Sequence, residues 1–178
     1  EAAGGSVLPI QADVTKRDAV DVMIERTEAA FGHIDLLINN AGVFQALGEF
    51  TKLDPDAWWR EVEVNLRGPM LCAHAVLPSM IKRKQGRIIN IASMAGLFSL
   101  ETVSAYCVGK AALIRFTESL ALETKPHNIA VFAAHPGTVR TPVSDYAATA
   151  PNVGRDAPGV QAYFRHLYDS GLDTPIEK

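Results

Sequence analysis

RIINIASMAGLFSLETVSAYCVGK, residues 87–110, is the stretch from which the rest of the chain can be read. Ile88, Ile89 and Ile91 form a short apolar run of the kind that makes a buried strand, and Ser93 follows just past its end. Tyr106 and Lys110 fall in a helical pattern four residues apart, which sets them on one face. A free tyrosine titrates near ~10, and a fixed cation beside it favours the phenolate. Each pKa unit corresponds to about 1.4 kcal/mol, so a shift of a few units makes Tyr106 a working acid or base. Ser93 adds a neutral hydroxyl able to hold and polarise a carbonyl.

A Tyr-x-x-x-Lys pair by itself describes many exposed helix faces. Its company here is more specific. Asn39-Asn40-Ala41-Gly42 closes an earlier apolar run, Asn65 lies inside a long helical pattern, and Pro136-Gly137 ends a later strand pattern. This constellation resembles the short-chain dehydrogenase/reductase family in its single-domain branch. The resemblance implies an α/β fold, a doubly wound parallel sheet of Rossmann-like type. It implies an NAD(P)-dependent oxidoreductase that interconverts a carbonyl and an alcohol by hydride transfer, with a small-molecule substrate.

Residue roles follow from the same resemblance. Tyr106 is the acid or base, Lys110 lowers its pKa and holds the cofactor ribose, and Ser93 orients the carbonyl. The backbone carbonyl of Asn65 holds a water in a proton relay. Cofactor contacts fall to Asp13 and Val14 at the end of one strand, Asn39, Ala41 and Gly42 at the end of the next, and Tyr106 and Lys110. Pro136, Gly137, Val139 and Thr141 complete the set at the nicotinamide. The cofactor is NAD or NADP, and the full-length protein is expected to be a homodimer or homotetramer.

The chain has 178 residues, 48% hydrophobic and 21% charged, enough for one domain (1–178) with a proper core. Its net charge is −3 and its longest basic run is Lys82-Arg83-Lys84, so nothing points to nucleic acid. No apolar stretch approaches the ~20 residues of a membrane span, and a cytoplasmic enzyme is the expectation. Cys72 and Cys107 lie in separate helical segments without CxxC spacing and read as reduced, buried small side chains. The five histidines show no metal-ligand spacing, and no metal is expected.

Taken in order, Val7-Leu8-Pro9-Ile10 reads as a strand that Pro9 confines to a sheet edge. Thr15-Lys16-Arg17-Asp18 reads as a capping box opening a helix with Val20, Met23, Ile24, Thr27, Ala30 and Phe31 on its packed stripe and Gly32 as its stop. Ile34–Ile38 is the next strand. Asp54-Pro55 opens a helix that runs to Lys84, with Gly86 as terminator. Inside it, Pro69 has no N–H to offer the carbonyl of Asn65, so that carbonyl is expected to be free or the helix kinked. A helix over Ser104–Glu123 stops at Lys125-Pro126, and Ile129–Ala134 is a strand. His135 has no part in the chemistry and reads as structural. Residues 142–178 loosen into Ala, Pro and Gly with one helix around Gly159–Tyr168, and by resemblance form the substrate lid. Phe98, Leu100, Tyr146 and Phe164 line an apolar pocket or fill ordinary core.

Two family features are missing. There is no G-x-x-x-G-x-G turn to receive a cofactor pyrophosphate at a helix N-terminus, and no second-strand end to choose between NAD and NADP. The sequence therefore reads as a fragment lacking the first two strands and the last strand, from which localisation signals can also be missing. In the family order 3-2-1-4-5-6-7 this leaves the strand at Val7–Ile10 without a neighbour, and the fragment itself is expected to be inactive. Two rival readings stand beside the oxidoreductase. One is an epimerase or dehydratase of the extended relatives. The other is a non-catalytic remnant of the fold.

Overall fold

The computed structural model describes residues 4–174. Its centre is a three-stranded parallel sheet in the order β1-β2-β3, built from Leu36–Asn39 (β1), Gly86–Ile91 (β2) and Ile129–Ala134 (β3). Register pairs Leu37 with Ile88, Asn39 with Asn90, and Ile88 with Val131. Parallel neighbours need long crossovers. α2 (Pro55–Val62) and α3 (Gly68–Arg83) make the first, and α4 (Ser104–Thr124) makes the second.

Side chains alternate across a strand, so the register sorts them into two faces. Leu37, Ile88 and Val131 point to the side covered by α3, α4 and α1 (Arg17–Phe31), where Val20, Ile24, Val76, Met80 and Leu120 close a dry core. Ile38, Ile89 and Phe132 form a row on the opposite face, where Ile38 is 53% and Phe132 52% exposed. The architecture is the Rossmann-like α/β fold, and the described residues wind it on one face. The expected strand at Val7–Ile10 does not form. Val7 is 73% exposed, and residues 7–10 have no regular structure and no ladder partner among the described residues. A strand exists only by pairing, and its apolar pattern alone cannot supply the neighbour.

Local chemistry explains the helix boundaries. α1 starts where expected, yet the capping box is not made. Thr15 Oγ1 and N both bond to Asp13 Oδ1 (2.7 and 2.9 Å), so the hydroxyl serves a turn instead, and the cap position falls to Lys16. Gly32 closes α1 with a positive φ of 86°, while Phe31 turns outward. Asp54 caps α2 by accepting from Asp56 N at 3.0 Å, with Pro55 at the first helical position.

The single helix expected over 55–84 is interrupted. Glu63–Arg67 form a π turn in which Gly68 N reaches back to Glu63 O. Pro69, four residues after Asn65, cannot donate, so the ladder widens by one residue just before it. Lys84, left-handed at φ 52°, ends α3 in place of Gly86. Gly86 instead opens β2, where a Cβ would run into the Met80 side chain.

The region after β3 is more ordered than its composition suggests. Three helices follow, α5 (Pro142–Thr149), α6 (Pro151–Asp156) and α7 (Pro158–Asp169). Each begins with proline, whose missing N–H costs nothing at a first helical position. Thr141 and Ser144 add a reciprocal capping box to α5.

One polar network crosses the core. Asn39 Nδ2 donates to Asn90 Oδ1 (2.8 Å) and to Pro69 O (3.3 Å), and Asn90 Nδ2 donates to Thr117 Oγ1 (2.8 Å). Thr117 Oγ1 in turn donates to Leu113 O at 2.7 Å. Buried amides satisfied in this way tie β1, β2, α3 and α4 together.

Candidate active site

Where β2 ends, the chain turns away through Ala92 and Ser93. Ser93 caps a one-turn 3₁₀ helix at Met94–Gly96, its Oγ accepting from Ala95 N at 3.2 Å. Gly96 then passes so close to α4 that a Cβ there would stand 2.8 Å from the Lys110 carbonyl oxygen. This contact lets α4 lie beside the strand end and brings Tyr106 and Lys110 to it. Lys110 is 5% exposed; its Nζ donates to Ile91 O at 2.7 Å and sits 5.6 Å from the centre of the Tyr106 ring.

Asn65 arrives from the π turn, fully buried. Its Nδ2 donates to Val43 O at 2.8 Å and its Oδ1 accepts from Val43 N at 3.3 Å, as a neighbouring strand would. That pairing holds the loop after β1 across the site. Gly42 is needed there, because a Cβ would come within 2.9 Å of Asn65 Oδ1.

Burial decides the electrostatics. It lowers Lys110 from its usual value to about 8, against the opposing pull of Glu61. It raises Tyr106 above the usual phenol value, opposed by the Ser93 hydroxyl and reinforced by Glu61 and Cys107. The expectation that Lys110 holds Tyr106 below its usual value is therefore corrected. In the protein alone, desolvation of the phenolate outweighs any help from an ammonium that is itself engaged by the Ile91 carbonyl.

These groups open into a cavity of about 830 Å³. Asn65, Ser93, Tyr106 and Lys110 line one wall, and Pro136, Gly137, Val139 and Thr141 line another. A match to the short chain dehydrogenase family runs over residues 1–152. The chain belongs to that family.

A short chain dehydrogenase of Pseudocercospora fijiensis is 38% identical over 143 residues, covering 79% of this chain and 46% of the relative. The 3-oxoacyl-[acyl-carrier-protein] reductase of Synechocystis is 35% identical over 150 residues, 84% of this chain and 60% of the relative. A crystal structure of NAD⁺-bound xylitol dehydrogenase superposes with a TM-score of 0.77 at 33% identity, over 89% of this chain and 63% of that one. The chain spans about half the length of the curated relatives it matches.

Not every expected contact of this short-chain dehydrogenase chain reaches the cavity. Asn39 is internal, spent on the core network. Ala41 stays outside the lining, while its neighbours Asn40 and Gly42 form part of it. Asp13 is exposed, and the two Thr15 bonds, aided by Arg60 at 3.1 Å, hold its carboxyl at about 2. Val14 packs against Gly68 at the core's edge.

Phe98, Leu100 and Phe164 line the cavity, whereas Tyr146 packs on the cluster around Val103 and Val153, its hydroxyl accepting from Asn152 Nδ2 at 2.6 Å. His135 is exposed at the cavity rather than packed in the core. Phe44 was not singled out from sequence, yet it meets the Tyr106 ring edge-on at 4.9 Å. Its only sequence signal is its place two residues after Gly42.

A nicotinamide and its ribose fit what is present: one buried ammonium, two hydroxyls, a Gly42 loop stripped of side chain, and a Gly137 turn at φ 79°. The phosphate end does not find an equivalent. Among the described residues no glycine-rich turn leads into a helix N-terminus beside β1. No helix of the described residues is long and apolar enough to cross a membrane, and no cluster of His, Cys, Asp and Glu there could hold a metal ion.

Proposed function

We propose that the full-length protein is an NAD- or NADP-dependent oxidoreductase interconverting the carbonyl and alcohol forms of a small molecule. The observation that carries this reading is the convergence of Ser93, Tyr106, Lys110 and Asn65 on one largely apolar cavity. The reductase and dehydrogenase relatives, one of them NAD⁺-bound, support it.

A nicotinamide held by Lys110 and the Pro136–Thr141 turn would supply or receive the hydride. Ser93 holds the substrate oxygen within reach of Tyr106. The Tyr106 phenol, kept neutral by burial, donates its proton to that oxygen in reduction and recovers it in oxidation. Lys110, placed by the Ile91 carbonyl, brings positive charge beneath the ring and favours the phenolate left after donation. The backbone carbonyl of Asn65 anchors the water through which Lys110 exchanges protons with solvent. Phe44 and Phe164 present apolar walls to the reacting carbon.

Tyr106→Phe in the full-length protein tests this directly, because it keeps the ring and removes the proton. Carbonyl reduction is expected to fall at least ~10²-fold; steady-state rates within a few-fold of the parent would refute the assignment. The full-length protein also associates, at least as a dimer, through the outer faces of α2 and α4, where Trp59, Val108 and Leu122 stand exposed. Light scattering that finds a monomer at high micromolar concentration excludes this.

A further inference from the structure

Glu61 is 2% exposed on α2, a depth at which a carboxylate calls for an explanation. Its Oε2 accepts from Gln45 N at 2.6 Å and Ala46 N at 2.7 Å. Its Oε1 is buried as well and has no hydrogen-bond partner among the described residues. Glu61 and Asn65 are four residues apart, and both reach the same loop after β1. Asn65 grips it at Val43 and Glu61 grips it at Gln45 and Ala46. Between the two grips lies Phe44, edge-on to the Tyr106 ring.

The charges around this point are few. Lys110 is the charged group acting on Glu61, and Glu61 is the charged group acting on Lys110. Tyr106 feels Glu61 and Cys107, with the Ser93 hydroxyl opposing them. Helix α2 thus places one buried anion under a site whose one buried cation is Lys110.

We propose that Glu61 is a positioning residue, a buried counter-charge that keeps Lys110 an ammonium and a strap that sets Phe44 against Tyr106. Burial pushes the Glu61 carboxyl above its ordinary value, while the two backbone N–H donors and Lys110 pull it back. The sign on Lys110 is the opposite. Glu61 supports its protonated form, so loss of the carboxylate lowers the pH at which Lys110 loses its proton. The importance of the strap for catalysis rests on the oxidoreductase reading. The coupling between Glu61 and Lys110 does not, so the two can fail separately.

Trace acetylation of the full-length protein with acetic anhydride across a pH series, read by mass spectrometry, gives the Lys110 midpoint. The tryptic peptide 88–115 contains Lys110 as its single lysine. Glu61→Gln keeps an oxygen for Gln45 N and Ala46 N and removes the charge. It is expected to move the Lys110 midpoint from about 8 to lower pH. Should that variant fail to fold, Glu61→Met serves, because an unbranched apolar chain suits a buried site. The same fall is expected, now with faster amide hydrogen exchange at Gln45 and Ala46. A folded variant with an unmoved Lys110 midpoint overturns the counter-charge, and unchanged exchange at Gln45 and Ala46 in Glu61→Met overturns the strap. Normal rates in Tyr106→Phe alongside a shifted Lys110 midpoint would discard the proposed reaction and leave this inference standing.

Discussion

Ile88 and Ile38 sit on adjacent strands of one sheet and lead opposite lives. Ile88 is fully buried among α1, α3 and α4, whereas Ile38 lies in the open row with Phe132. The crossovers whose helices cover Ile88 also supply the site. α4 carries Tyr106 and Lys110, and the α2–α3 crossover carries Glu61 and Asn65. The open face lends the site no helix among the described residues. On the proposed oxidoreductase reading, acid–base chemistry and nucleotide-phosphate binding would draw on different parts of the winding and so be separable.

The largest test of that separation is cofactor affinity. The 178-residue chain should lack at least two of the charge-assisted donors that a pyrophosphate needs, each worth roughly 1.5–3 kcal/mol. Calorimetric titration should then find NAD(H) and NADP(H) bound about 10²- to 10⁴-fold more weakly than by the full-length protein. A micromolar dissociation constant for the chain alone would erase the distinction. A smaller effect compares the two isoleucines. Ile88→Ala should cost about 2–5 kcal/mol in denaturant unfolding. Ile38→Ala, on the open face of the same chain, should cost about 0.5 kcal/mol or less. Equal losses would mean that the open face is covered in solution.

Most of this site could be read from sequence because its residues keep short-range company. Ser93 ends a strand, and Tyr106 and Lys110 share a helix face, so local periodicity already points them toward one place. That Val7–Ile10 would lack a neighbour followed from the family strand order; what its apolar pattern hid is that, with no partner among the described residues, the segment forms no strand at all. Thr15 was misread because a hydroxyl before a helix can serve either the helix or the preceding turn, and Asp13 won it. Of the three helices after β3, α7 was legible around Gly159–Tyr168, while α5 and α6 were hidden by Pro142 and Pro151, which break a helix interior but fit its first turn. Glu61 was missed because a lone acid between Arg60 and Val62 looks like any solvated helix residue. Only the return of the loop at Gln45 and Ala46 shows what it faces.

The Asn39–Asn90–Thr117 network bears on how this chain can be recombined. Its members are encoded far apart, and the central amide of Asn90 needs both neighbours to be satisfied. A crossover with a related gene anywhere from 40 to 89 would inherit Asn39 from one parent and Asn90 from the other. A crossover from 91 to 116 would split Asn90 from Thr117. Each mismatched parent that brings an apolar residue strands a buried polar group at about 1–3 kcal/mol. Viable chimeras of this fold should therefore have their junctions before 39 or after 117, or else be drawn from parents that agree at all three positions.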